Sequence, residues 1–324
     1  MADWPNASWL VEDGIGEERA LLVAEGRALA ARVQWPGELT AGLVQSAVLV
    51  ERRKGSGRGR ARFPGGEEAL VDKLPRDAAE GANVRLIVTR AAIGEAARRK
   101  PAQARPSDTP ERPAPSLAEE LGARVVRRFP KGLWEDAIAD CTAGAVDFRG
   151  GSLLFSPTPA MVLVDVDGNL PPRDLALAAV DPLARAIALF GLGGSIGVDF
   201  PTLQAKDDRK AVDVALEGAL ADWDHERTAM NGFGFVQLVA RSTGPSLLHR
   251  LHFQRTAAIA RLLLRRAEGV NEPGTLLLTA HPAVLAHIGH DWLEQLARRT
   301  GRVIRTAADA GLAPDAAFAQ AVPA

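Results

Sequence analysis

The chain has 324 residues, 47% of them hydrophobic and 24% charged, a balance that suits a folded globular protein with ample core across two or three domains. A single cysteine, Cys141, excludes a disulfide framework and any zinc site built on paired CxxC motifs. The net charge of −1 excludes a global basic field, and no window reaches the roughly 20 unbroken apolar residues of a membrane-spanning helix.

The opening stretch "MADWPNASWLVEDGIGEER" has neither a basic n-region nor a long apolar h-region, so a cytoplasmic location without a membrane partner is expected. From 20 to 89, short apolar runs ("ALLV", "LVQSAVLV", "VRLIV") alternate with turns rich in Gly and Pro, the pattern of a small β-rich barrel or sheet. Two strongly basic runs accompany it, "ERRKGSGRGRARF" (51–63) and "TRAAIGEAARRKPAQAR" (89–105). Such clusters either neutralise phosphates locally or form solvated loops. The stretch "RKPAQARPSDTPERPAP" (99–115) has no apolar period. It predicts a linker, placed at 99–118, that ends an N-terminal β-rich segment at 1–98.

Next, "SLAEELGARVV" predicts a helix capped by Ser116, with Glu119 at the capping-box position, and "GLWEDAIADCTAG" a second helix ended by Gly144. "AVDFRGGSLLFSPTPAMVLVDVDGNL" reads as a meander of strands. Pro171 and Pro172 open a helix over 173–190, and "SIGVDF" follows as a strand. A strand, helix, strand order predicts that the two strands run parallel as neighbours or near neighbours. "AKDDRKAVDVALEGALADW" is a third helix and "GFGFVQLVA" one more strand, completing a region at 119–250. From 251 to 324 the order helix, strand, helix, strand predicts a small C-terminal α/β domain with a loose Ala-rich end. The fold class is α/β (α+β).

Within "MVLVDVDGNL", residues two apart share a strand face, so Asp165 and Asp167 point the same way. If the "SIGVDF" strand lies alongside, Asp199 joins them. Carboxylates gathered at strand ends repel one another and call for a cation; hard oxygen ligands suit magnesium or manganese, and with them phosphoryl transfer or phosphodiester hydrolysis. "DVDGN" also reads as a plain turn. An EF-hand loop is excluded, because the position of its bidentate Glu is Ala176. A further alternative is the haloacid-dehalogenase type of phosphatase, whose DxDGT motif "VLVDVDGN" resembles. There Asp165 is the nucleophile and Asp167 the acid/base, with Asn169 in place of the Thr.

Taken together, "VLVDVDGN", "LGGSIGVDFPTL" with "DDRKAV", and "NGFGFVQLVARSTGPSL" resemble in order and spacing the catalytic core of the ribonuclease E/G family, over about 150–247. The resemblance implies a ribonuclease H-like catalytic subdomain in which Asp165 and Asp199 hold a magnesium ion, with manganese as a substitute. Its activity would be metal-dependent endonucleolytic cleavage of single-stranded RNA that leaves a 5′-phosphate. The family's accompanying Asn falls on Asp167, an added charge and an auxiliary metal ligand. The β-rich N-terminal segment resembles a shortened OB-like RNA-binding barrel, which implies RNA contacts from Arg58, Arg60, Arg62 and Phe63. The stretch 105–150 is shorter than the family's 5′-end sensor, and no cysteine stands where the family has its zinc-linking CPxC motif. Neither end sensing, nor structural zinc, nor a zinc-linked oligomer is expected. The pairs His249/His252 and His287/His290 read as surface or capping residues. An RNA-binding protein with a degenerate nuclease core is the alternative from a different functional class.

Overall fold

The computed structural model describes residues 6–95 and 99–323; the first five residues, the 96–98 portion of the second basic run with the boundary placed at 98, and Ala324 lie outside it. Strands β1 (Ser8–Gly14), β2 (Glu17–Ala24) and β3 (Arg27–Gln34) form an antiparallel meander. The β2–β3 turn is Glu25-Gly26, with φ of 49° and 72°, the left-handed pair whose twist suits a two-residue hairpin.

There follow β4 (Val44–Arg52), β5 (Gly59–Arg62), β6 (Glu68–Val71) and β7 (Asn83–Arg90), a small ladder of β8 (Ile93–Gly94) with β9 (Arg99–Lys100), and β10 (Ala102–Pro106). Five of these close into a barrel in the order β10-β6-β5-β4-β7, with β10 bonded to both β6 and β7. Its interior mixes Leu49, Phe63, Val71, Leu86 and Val88 with Ala47, Ala61, Ala69, Ala102 and Ala104; the small residues let the walls of a narrow barrel approach. Two expectations change here. The barrel runs from 44 to 106, without the strands before it, and the predicted linker begins with a structural strand. Ala102 and Ala104 face inward while Gln103 and Arg105 face out, a two-residue period obscured by the flanking Pro101 and Pro106.

Helix α1 (Leu117–Leu121) starts at Ser116, whose side chain accepts from the Glu119 N–H while Glu119 reaches back, completing the expected capping box. Then come β11 (Arg124–Val126) and α2 (Leu133–Ala143), ended at Gly144 in the left-handed region. Strand β11 runs parallel to β1, giving the sheet β11-β1-β2-β3. The meander at 8–34 therefore pairs across the whole barrel insertion, and its Leu10, Leu21 and Ala31 share a core with the sheet that follows.

That sheet contains β12 (Ala145–Phe148), β13 (Gly151–Pro157), β14 (Val162–Gly168), β15 (Gly194–Asp199), β16 (His225–Arg227) and β17 (Phe235–Ala240), in the order β12-β13-β14-β15-β17-β16. α3 (Pro172–Leu189) links β14 to β15 and α4 (Lys206–Ala219) follows β15. β14 and β15 run parallel, and the other neighbours are antiparallel. One face is packed: Val162, Val164, Val166, Ile196 and Val198 meet Leu175, Ala179, Leu183 and Ile187 of α3. The other face stays open.

The remainder is α5 (Leu247–Phe253), α6 (Arg255–Glu268), β18 (Thr275–Ala280), α7 (Pro282–Leu285), α8 (His290–Thr300), β19 (Ile304–Ala308) and β20 (Phe318–Val322). The second helix expected in this region, the stretch "PAVLAHIGHDWLEQLARRTG", is divided into α7 and α8, with Gly289 as the N-cap of α8. The Ala-rich end is ordered as β20, antiparallel to β18, where it covers what would otherwise be a bare strand edge.

A buried charge network joins these parts. Glu12 of β1, 2% exposed, is bonded to Arg19 of β2, to Arg265 of α6 (Nε to Oε1, 2.8 Å) and to the Phe129 N–H (3.0 Å). Arg265 also pairs with Glu135 of α2, and Arg19 with Glu17 at 2.6 Å. Burial alone would raise the Glu12 pKa, yet the Arg265 bond and the charges of Arg19 and Arg265 hold it below the ordinary value. Removing one partner of such a network strands the others without solvent. Glu12→Ala is expected to lower the unfolding free energy by about 3–5 kcal/mol, read by urea denaturation; a loss under 1 kcal/mol would show that the network carries little.

Candidate active site

Along β14 the burial alternates, with Val162, Val164 and Val166 inward and Leu163, Asp165 and Asp167 outward. On β15, Ile196 and Val198 are buried and Asp199 is exposed. The parallel register sets Asp165 directly opposite Asp199. Neighbouring strands lie about 4.8 Å apart, so two carboxylates stand side by side, Asp199 as the last residue of β15 and Asp165 midway along β14. Asp167 lies two residues further on the same face and accepts the Gly168 N–H on its own Oδ1 at 2.8 Å. Among the described residues no three His, Cys, Asp or Glu side chains form a group arranged to hold a metal ion. The structure thus brings together a pair of aspartates where the sequence suggested three. "DG" is not yet the turn either: Gly168 is still in the strand, paired with Gly151.

Beside the pair the open face is apolar. A Cβ on Gly197 would lie 2.5 Å from the Phe235 ring and 2.9 Å from Met161 Sδ, so glycine here lets those side chains lie over β15. Phe235 is itself the cross-strand partner of Asp199. Leu154, Leu163 and Val239 remain substantially exposed on the same sheet, and Gln237 Nε2 donates to Ser195 Oγ at 3.1 Å. Two water-accessible carboxylates at one strand spacing fit a magnesium ion, which binds through one or two carboxylates and fills its other positions with waters and phosphate oxygens. With no cation between them the two charges repel.

No protein-family model matches the chain. The chain is similar to ribonuclease G. The Escherichia coli (strain K12) protein is 33% identical over 114 residues, which cover 32% of this chain and 23% of the relative. The Shigella flexneri and Salmonella typhimurium (strain SL1344) ribonucleases G match over the same extent. The match thus spans about a quarter of the length of these relatives, and it supports a relationship to the ribonuclease E/G family over a third of the chain. No helix among the described residues is long and apolar enough to cross a membrane.

The barrel residues singled out in the sequence divide into two groups. Arg58, Arg60 and Arg62 are exposed and paired with acidic neighbours: Arg58 with Asp72 (3.0 Å), Arg60 with Glu51 (3.0 Å) and Glu68 (3.3 Å), and Arg62 with Glu68 (2.8 Å). Surface pairs of this kind are weak and exchange readily for a phosphate. Residues 44–106 carry fourteen Lys and Arg against seven Asp and Glu, in a chain whose net charge is −1. Phe63, by contrast, is 2% exposed inside the barrel and offers no face to a base, which corrects its expected RNA contact. The alternation from Ala61, buried between Arg60 and Arg62, already points Phe63 inward.

The histidines serve local contacts. Ser246, the cap of α5, accepts the His249 backbone N–H at 3.2 Å, and its Oγ lies 2.7 Å from His249 Nδ1. His249 lines a cleft of about 100 Å³ with Arg90, Lys100 and Ser195, at the end of β15 opposite Asp199. His252 packs edge-on against Phe253, His287 Nε2 lies 3.0 Å from Thr256 Oγ1, and His290 pairs with Glu294.

Burial, reinforced by the charges of Lys100 and His252, lowers the His249 pKa from 6.5 to about 4. The unfolded chain takes up this proton first, so stability from a neutral His249 is complete above about pH 6.5 and is lost as pH falls toward 4. The full effect is about 3 kcal/mol. Unfolding midpoints measured from pH 7 to 4.5 should fall, and His249→Gln should flatten the profile; an unchanged slope in the variant would refute the assignment. For the barrel, Phe63→Ala is expected to cost about 3–5 kcal/mol of stability. Phe63→Leu, which keeps the core filled, should cost clearly less in the same unfolding measurement, and equal losses in the two variants would refute the packing role.

Proposed function

We propose that this chain is a metal-dependent endoribonuclease of the ribonuclease E/G type that hydrolyses single-stranded RNA in the cytoplasm. The observation that carries the reading is the in-register pair Asp165 and Asp199 on an open sheet face, in a chain similar to ribonuclease G. In this reading the six-stranded sheet with α3 and α4 is a ribonuclease H-like catalytic subdomain, and the closed barrel at 44–106 is an OB-like RNA-binding module.

Asp165 and Asp199 would hold magnesium, or manganese in its place, with Asp167 as an auxiliary ligand through a water or directly. When bound, the ion supplies an acidified water and neutralises charge on the phosphate. The two carboxylates would fix the approach direction: over the open sheet face, a water oxygen would attack phosphorus in line with the leaving 3′-oxygen. The bond from water oxygen to phosphorus forms and the bond from phosphorus to the 3′-oxygen breaks. One proton of the water leaves to solvent while the departing 3′-oxygen takes up one from solvent, and the products are a 5′-phosphate and a 3′-hydroxyl. The open face admits a chain at any internal position, as endonucleolytic cleavage requires. The basic barrel holds the flanking strand by its phosphates, independently of sequence.

A second reading keeps RNA binding and drops turnover. Its motivation is Asp167, which adds a negative charge beside the pair. The phosphatase alternative uses the same Asp165 as a nucleophile on a small phosphorylated substrate. Two incubations separate all three: a 5′-labelled single-stranded oligoribonucleotide with magnesium and with manganese, using the wild type and Asp199→Asn, and a small phosphorylated substrate with the wild type under conditions that trap an aspartyl-phosphate. The expected result is internal cleavage by the wild type, reduced at least 100-fold in the variant, on the order seen when preorganised charge stabilisation is removed. Equal cleavage by both proteins would overturn the assignment of Asp199. Binding without cleavage in either metal would establish the scaffold reading, and a covalent aspartyl-phosphate at Asp165 the phosphatase.

A further inference from the structure

β17 is entered through a tight turn at 231–234, "NGFG", that projects Phe233 into solvent with 81% of its surface exposed. Single exposed apolar residues are ordinary on protein surfaces. This one differs in how it is mounted. Asn231 Oδ1 accepts the N–H groups of both Phe233 (2.9 Å) and Phe235 (3.1 Å), and the Asn231 N–H donates to the Phe235 carbonyl at 3.1 Å. Gly234 has φ +92°, and a Cβ there would stand 2.3 Å from the Phe200 carbonyl, so the turn is pressed against the segment that leaves β15. Two bonds fasten it there: the Phe200 N–H to the Gly234 carbonyl (3.2 Å), and Thr202 Oγ1 to the Phe233 carbonyl (3.3 Å).

The ring is thus held on a fixed turn, bonded to the residues that directly follow Asp199, while Phe235 lies opposite Asp199 itself. A solvated aromatic ring on a hydrogen-bonded turn, whose backbone is tied to the residues that follow Asp199, suits a flat, weakly hydrated ligand group whose attached phosphate would lie at the carboxylates. In single-stranded nucleic acid that group is a nucleobase, and base stacking on an aromatic side chain tolerates any sequence. We infer that Phe233 is a stacking platform for the base next to the scissile phosphate; this rests on the ribonuclease reading above. Phe233 is a binding residue, and it handles no proton.

The test couples the ring to the base. Binding of a set of single-stranded oligoribonucleotides, each with one abasic nucleotide at a successive position, is measured by fluorescence anisotropy with the full chain carrying Asp199→Asn. The comparison proteins add Phe233→Ala, Phe233→Leu or Phe233→Trp. One abasic position should weaken binding about tenfold when Phe233 is present and leave binding unaffected in Phe233→Ala, the non-additivity of two groups in contact. Phe233→Trp should retain the coupling and Phe233→Leu should lose it, and the salt dependence should be the same in all, because no phosphate contact changes. Thermal unfolding should not move, since the ring is solvated in the free protein. Identical abasic profiles in Phe233 and Phe233→Ala proteins, or no RNA binding by either, would overturn the stacking assignment. Coupled binding in a protein whose wild type cleaves no RNA would instead uphold the platform and reject the nuclease reading.

Discussion

The register between β14 and β15 is the constraint on which the candidate site depends. Parallel strands joined by one crossover helix have their relative position fixed by how that helix packs back onto them, and α3 packs on both through Val164, Val166, Ile196 and Val198. A slip of one residue would turn Asp199 into the helix-packed face and bring Val198 out, exchanging a carboxylate for an isopropyl group at the open surface. The burial of four branched side chains therefore holds the carboxylate pair in place. The site is precise because its supporting residues have no other way to be buried.

The buried charges do a different kind of work. Glu12, Arg19 and Arg265 come from two strands at the start of the chain and a helix near its end, and both guanidinium groups share the one Glu12 carboxylate. Ion pairs removed from solvent add little net stability over apolar replacements of the same shape, but they are intolerant of misassembly. The network ties the N-terminal sheet, α2 and α6 to one another. The sandwich of Trp35 between the guanidinium groups of Arg250 and Arg261, at 3.9 and 3.7 Å from the ring centre, extends the same strategy toward the barrel, where Arg250 also pairs with Glu38 at 2.6 Å.

How far these features were legible in the sequence follows from the range of the interactions. The capping box at Ser116, the Pro-initiated helix after Asp167 and the shared face of Asp165 with Asp167 rest on contacts within a few residues, and sequence spacing reports them. The juxtaposition of Asp165 with Asp199 needed one further rule, the parallel crossover. Pairing of β1 with β11 and closure of the barrel by β10 bring together residues distant along the chain, and no local period announces them. No local signal marks Glu12 and Arg19 as buried, because the Arg265 that shares their network is more than 240 positions away. Phe63 is the opposite case: the plain two-residue alternation at Ala61 places it inside the barrel, where the family resemblance implies an RNA contact. The exposure of Phe233 is a property of the turn that carries it, which no sequence period reports.

The barrel is an insertion. The chain leaves β3 at Gln34 and returns at Pro115, and the two points meet, with Gln34 Nε2 donating to the Pro115 carbonyl at 3.4 Å and the Leu117 N–H to Glu18 at 2.8 Å. During synthesis the barrel can close on contacts within its own 63 residues, whereas β1 has to wait for β11 until roughly 115 residues later. Within the first 126 residues the order of assembly thus departs from the order along the chain: the inserted module can be finished before the outer edge of the framework that hosts it is covered.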